Sequence, residues 1–561
     1  MGTGKYGLWA AVWVLLCHVV LVSCGTSSRK AEAGFVDFIG KYEREMSPLE
    51  ESIQESRWRY AVSGSDQDLR KVDSLVQVRQ RFLHNREIFD YLQKLRDLEK
   101  IRDPFLLRQL ELLYRDFLPC QVSLSLQDSI LKMELELKAR TLDRMKDPEM
   151  RSADRVLRYS LDEDELKRAW LYVKQPGREM GRQYVELVKL RNRAARQLGF
   201  SDYFDLTLFL EEQEEEQLDS LFRVVEQGTE RSYVLMRRSL DSALFPQKMR
   251  RGESLQPWHL RGRFFRFGQR AYAATRDNYY EYVSMESVVL RFFSGINLDL
   301  SDVFGRSLIS GQSVYLPGLL CLDVDRRQDI RLIGHLAGTE NDMQMLLAMA
   351  GEAAYHKYIS QTLPFLLREP SSAVITCGIG DFFARMAAYP NWVFSMGVFS
   401  AGQAYELQST TLEAMRQDQL FTSRWWLLIY HFEKQLYKNP DADLDILWRD
   451  LFVRYLKVEA GDERIGYSDW VVENYFSQYA VHAHNFLMGE LWASQLLHHL
   501  CQNDSRLGNE GNPNIVGDGN VGTFLKRYVF QAGSSLSWEE LTIDGTGSSL
   551  SASAFLGQFA E

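Results

Sequence analysis

Apolar residues recur at intervals of three and four over 37–118, again over 162–198, and over 218–240. That period belongs to helices with one face turned to a core. Alternating apolar and polar runs are short and few, and only 13 prolines punctuate the 561 residues. The pattern therefore predicts an almost wholly helical chain. One short hairpin is expected from Val314-Tyr315-Leu316 and Gly318–Leu322, and one long loop from Asn503–Gly522, which holds five glycines. No repeat of the roughly 20–50 residues that marks a solenoid is present.

The strongest helix former is Met343–Tyr358, preceded by Thr339, Asn341 and Asp342. These supply a capping side chain and an acid for the first turn. At helical spacing Ala348, Glu352 and His356 fall on one face, one turn apart. The hairpin is expected beside this helix.

The first residues break the pattern. Lys5 precedes an apolar run from Leu8 to Leu21, which ends in Leu21-Val22-Ser23-Cys24. The run is too short and wrongly flanked for a stable membrane span, and residues 1–23 are read as a secretion signal. Its last four residues resemble a bacterial lipobox, whose Cys is acylated and becomes the mature N-terminus. An ordinary cleaved signal is the alternative. Gly25, rather than Asp, after Cys24 resembles lipoproteins sent to the outer membrane. The expected organisation is a signal (1–23), a tether (24–36) and one helical domain (37–561), lipid-anchored at the bacterial cell envelope. Each buried CH₂ of an acyl chain contributes about 0.8 kcal/mol to such an anchor.

Composition narrows the partners. A chain of this length can bury a large core. A net charge of −10 without a basic stripe argues against nucleic acid. The Glu211–Glu216 run reads as a solvated helix face. Cys120, Cys321, Cys377 and Cys501 are too few for a disulfide scaffold and match no zinc-knuckle spacing, although one or two disulfides are compatible with an oxidising compartment.

Several stretches, in order, resemble the angiotensin-converting-enzyme (peptidyl dipeptidase A) family of zinc peptidases. They are Leu190-Arg-Asn-x-Ala-Ala-x-x-Leu-Gly-Phe200 with Asp202-Tyr203, then Cys321 with Asp329-Ile330-Arg331, and then the helix around Ala348–Tyr355. Leu363-Pro364, Ile379-Gly380-Asp381, Trp538-Glu539-Glu540 and Leu550–Leu556 follow. The resemblance implies an all-α fold of the zincin type, elongated and split into two halves by a central channel. In the family that channel holds one zinc and removes dipeptides from peptide C-termini.

Carried over residue by residue, the resemblance implies a degenerate site. The family's His-Glu-x-x-His, in which two imidazoles hold zinc and the Glu serves as base, reads Ala348-Met349-Ala350-Gly351-Glu352 here. The third ligand, a Glu in the family, corresponds to Cys377. Asp381, which in the family supports a zinc His, is retained. Leu322 stands for a substrate-binding His. On a looser register anchored at Tyr475-Phe476, Tyr475 retains the Tyr that stabilises the tetrahedral intermediate. Glu463 and Val472 would replace the Lys and Tyr that hold the substrate carboxylate, and Ile465 a second substrate-binding His. Zinc, the cofactor of the family, is therefore expected to be lost.

A rebuilt metal site is the competing reading, since Glu352 and His356 share a face and Cys377 is a third candidate ligand. His482-Ala483-His484 is expected not to chelate, because two residues on a helix point about 200° apart. Trp425-Trp426 and Tyr430 read as core, and Ser551–Ala554 as a close-packing element. Three functions follow: an inactive peptidase-like lipoprotein that binds a peptide or protein in the channel, a hydrolase rebuilt on Glu352, His356 and Cys377, or a structural lipoprotein with a closed channel.

Overall fold

Helix boundaries fall where a side chain can satisfy the first turn. Ser65, Asn85 and Asp103 accept from the backbone N–H groups of Asp68, Ile88 and Leu106. They open α2 (Asp66–Leu83), α3 (Arg86–Asp97) and α4 (Pro104–Phe117) behind a long α1 (Tyr6–Ser63). The computed structural model describes residues 6–260, 277–280, 283–309, 318–459, 464–472, 476 and 479–559, with the side chains of 6–27, 142–143, 145–146, 158 and 277–278 outside that description.

These four helices bury a core of their own, including Phe35, Tyr42, Met46, Leu92, Leu110, Leu113 and Phe117, which meets the rest of the molecule at Ala195 and Leu206. The expected tether at 24–36 is instead helix. Ala31 and Phe35 extend the three-and-four spacing of Phe38 and Tyr42 upstream of residue 37 and turn it inward, and Phe35 is fully buried. Ser28 Oγ donates to the Lys100 carbonyl at 2.7 Å, which fixes α1 to the turn after α3.

The larger core is mainly helical. Helix Ala401–Lys438 buries Trp425, Trp426 and Tyr430, as its pattern implied. Its neighbours include Gly177–Gln197, Glu215–Leu244 and His484–Asn503. Arg191, almost wholly buried, joins helix Gly177–Gln197 to Glu134 (2.8 Å) and to the Tyr437 hydroxyl (2.9 Å). The Ser551–Ala554 stretch does close-pack. Ser551 N–H donates to Gln495 Oε1 at 2.9 Å, Phe555 is fully buried, and Leu556 lies against Gly228.

Among the described residues the sheet is one antiparallel hairpin, β1 (Leu319–Asp323) with β2 (Ile330–Gly334), Cys321 facing Leu332. The hairpin was expected with 314–316 as the partner strand. Those residues lie outside the described ones, and the observed partner follows β1, because Ile330 and Leu332 bring an alternating buried face. The long loop ends earlier than expected, where helix Gly519–Leu525 begins behind an Asp518 cap. Among the described residues no helix is long and apolar enough to cross a membrane.

Candidate functional site

The helix Glu340–Tyr358 starts as its sequence requires. Thr339 Oγ1 accepts from Asp342 N–H at 3.2 Å, and the Asp342 carboxylate accepts from Thr339 N–H at 3.0 Å. Met343, Leu346, Leu347, Ala350, Ala353 and Ala354 are fully buried on one side. Gln344, Ala348, Glu352 and His356, four apart, form a partly open stripe on the other.

Helix Ala373–Ala384 lies alongside, capped by Ser372. Val374, Ile375, Ile379, Phe382 and Phe383 are buried, whereas Thr376, Cys377, Gly380 and Asp381 are partly open. The two stripes adjoin, since a Cβ on Gly380 would stand 3.7 Å from Ala348 Cβ, and their partly open residues make up the candidate trough. On its far side this helix is pressed against His484–Asn503. A Cβ on Gly378 would stand 2.6 Å from the Trp492 ring, and one on Gly489 2.7 Å from Cys377 Cβ. Glycine is needed there for close approach.

The trough holds acids and protonated thiols. Glu352 has no hydrogen bond or ion pair among the described residues, and burial pushes its carboxyl above the ordinary value, partly offset by His356. Burial pushes the Cys377 thiol well up, and Asp381, Glu352 and Glu211 push it further. Cys321, on β1, is raised by burial and by Glu352 and Asp323. All four described cysteines are free thiols. A thiol held protonated is neither a ready nucleophile nor a ready metal ligand.

His356 faces elsewhere. Its Nδ1 stands 3.3 Å from Asp323 Oδ2 on β1. Burial alone would lower this imidazole, yet Asp323, Glu352 and Glu369 bring it net above its ordinary value. With Asp323, Cys321 and Leu322 it lines a cavity of about 280 Å³ closed on the other side by Glu50, Gln54 and Arg57 of α1. The expected Glu352–His356–Cys377 metal set is thus not assembled. Among the described residues no three His, Cys, Asp or Glu side chains stand together in a way that could hold a metal. Zinc, implied by the resemblance, does not fit this donor set: Ala348 offers no ligand atom, and the imidazole is turned to Asp323.

A further polar wall comes from residues read otherwise in the sequence. Glu211, Glu212 and Gln213 do not lie on a solvated helix face. They form the turn between helices Tyr203–Leu210 and Glu215–Leu244, and Glu212 binds Arg108 and Arg115. Asn485 Nδ2 donates to Glu211 Oε2 at 2.5 Å, and Gln213 Nε2 to Asn485 Oδ1 at 2.7 Å. His484 Nε2 donates to Gln213 Oε1 at 2.5 Å, while His482 Nδ1 lies 3.3 Å from Glu211 Oε1. The rings of His482 and His484 therefore converge on one carboxylate rather than diverge. The cause is a turn, with Val481 at φ +55°, where a helix was expected. Burial raises Glu211, but His482, His484 and Asn485 hold it net below the usual carboxylate range; burial takes His484 down to about 4. The legible signal was Gln213 and Asn485, amides flanking otherwise apolar helices.

The other expected positions separate. Leu322 is buried on β1, Val472 is buried in the core, and Ile465 lines a small aromatic cavity with Trp170, Trp258 and Trp448. Glu463 and Tyr475 lie outside the described residues, and so does the side chain of Cys24.

Residues 29–270 match the Peptidase M2 family model, described as angiotensin-converting enzyme. The match runs from α1 past helix Glu215–Leu244 and stops before the helix that carries Ala348. No curated protein matches the chain. The predominantly helical architecture agrees with the all-α class that the sequence resemblance implied.

Proposed function

We propose that this chain, whose residues 29–270 match the angiotensin-converting-enzyme family model, binds peptides without cleaving them. The observation that carries the reading is the pair of open stripes, Ala348–Glu352–His356 and Cys377–Asp381. They keep the walls of a binding trough and lack the groups that hydrolysis uses. Recognition needs apolar wall area and a few placed polar groups. Hydrolysis by the family route needs a base, worth roughly 10²–10⁴-fold. It also needs a metal that brings its bound water from a pKa of about 15.7 to about 7. Ala348 and Met349 supply neither.

The test combines metal analysis with peptide titration. Protein purified without chelators is expected to carry no stoichiometric zinc and to leave a diverse peptide library intact. Stoichiometric zinc that disappears in Glu352→Ala or Cys377→Ala would overturn the reading in favour of a rebuilt hydrolase. Among peptides that bind, amine-bearing ones should tighten as pH rises through the raised pKa of Glu352. Glu352→Gln should cost them ~1.5–3 kcal/mol, the range of a hydrogen bond to a charged group. Absence of binding from every peptide class would point to a closed, structural trough.

The anchor is proposed from Leu21–Cys24: an acylated Cys24 holds the protein at the bacterial outer membrane. Cys24→Ala is expected to release the protein from membranes or to leave an unprocessed precursor. An unchanged membrane fraction with an unchanged N-terminal mass would exclude it.

A further inference from the structure

Away from the trough, a cavity of about 260 Å³ opens where helices Glu215–Leu244, His484–Asn503 and Trp538–Thr546 meet the chain at 549–550. Its floor is apolar: Leu218, Met488 and Trp538 are buried, and Ile543 on the rim is 47% exposed. Trp538 is fixed in place by Nε1 donating to the Glu212 carbonyl at 3.0 Å. The charged groups in the lining are both acids, Glu214 and Glu539, from different parts of the chain, and among the described residues no lysine or arginine lines the cavity.

Neither acid is neutralised within the described residues. Glu214 accepts from the Gln217 amide at 3.0 Å, and Glu539 has no ion pair. Burial, then the charges of Glu214, Glu212 and Glu540, push the Glu539 carboxyl above its ordinary value, as expected where like charges crowd without a cation. An apolar floor under two unmatched carboxylates suits a side chain with a long aliphatic stem and a cationic head. We propose that this cavity seats a lysine or arginine side chain of a basic peptide segment on a partner. A purely apolar side chain would leave both carboxylates facing it, and an acidic one would be repelled.

The test uses the full chain and a blocked, fluorescently labelled peptide with lysine, norleucine or glutamate at its centre, followed by anisotropy. Lysine is expected to bind best, norleucine more weakly and glutamate not at all, with the lysine preference fading as salt is raised. The double variant E214Q/E539Q should lose roughly three- to tenfold for lysine and little for norleucine, the range of two partly exposed ion pairs. Ile543→Arg, an exposed position that places the chain's own cation in the cavity, should abolish lysine-peptide binding while the fold is unchanged by circular dichroism. Glu87→Gln, an exposed carboxylate on α3 that does not line the cavity, should leave this binding intact. Equal affinity for lysine and norleucine, or lysine binding that survives Ile543→Arg, would overturn the proposal. So would lysine binding that is lost only in Glu352→Gln.

Discussion

Glu433 is 1% exposed on helix Ala401–Lys438, and its Oε1 accepts from Val481 N–H at 2.8 Å. Burial pushes its carboxyl up to about 8, against the lowering effect of that bond and of Arg191. Because the folded state holds this proton more tightly than the unfolded chain, stability falls as pH rises from about 4.5 to about 8 and is flat above. The full span corresponds to something on the order of 5 kcal/mol. Glu433→Gln keeps an acceptor for Val481 and removes the ionisation. It should be more stable than the parent at pH 8 and similar near pH 4.5, as read by urea midpoints at the two pH values. Equal midpoints at pH 8 would show that Glu433 ionises at no cost.

At the scale of elements, the trough is set by how closely three helices approach, and the N-terminal layer by how far α1 reaches. Gly378 and Gly489 let helix Ala373–Ala384 sit between its neighbours, with Gly380 against Ala348 on one side and Cys377 against Gly489 on the other. The placement of α1 is tested at Phe35, which lies upstream of the residue-37 boundary expected from sequence yet is fully buried. Phe35→Ala should cost about 3–5 kcal/mol, the usual loss for a large aromatic in a core. A shift in denaturation midpoint below about 0.5 kcal/mol, the range of an exposed site, would return 24–36 to a tether.

For the whole molecule, buried titratable groups combine into one pH profile. Burial lowers His259, His431 and His484 to about 4 from 6.5, so the unfolded chain takes up protons between those values and the native state does not. Their contribution is complete above about 6.5 and is lost as pH falls toward about 4. Glu433 acts in the opposite sense between about 4.5 and about 8. Three imidazoles outweigh one carboxyl below 6.5, so these groups place the stability maximum near pH 6.5. A midpoint scan from pH 4.5 to 8.5 checks this, and a profile that rises monotonically through pH 8 would contradict it.

Periodicity alone settled much of this chain, because a three-and-four spacing buries one helix face whatever the neighbours are. The helical class and the packing of Trp425 and Trp426 were legible that way, and the Thr339–Asp342 start was legible from its capping residues. On the proposed alignment, Ala348 and Met349 stand where the family has an imidazole and a base, and that comparison needs no coordinates. What only the tertiary structure decided is which polar groups share a space. His356 and Glu352 share a helix face by spacing, but β1 brings Asp323 to His356 and turns it toward α1. Glu211 looked like one member of a solvated acidic run. A turn at Val481, more than 200 residues away, brings His482 and Asn485 onto it. Spacing fixes directions within an element, while distances between elements depend on packing, and a site built from several elements is therefore read only in the fold.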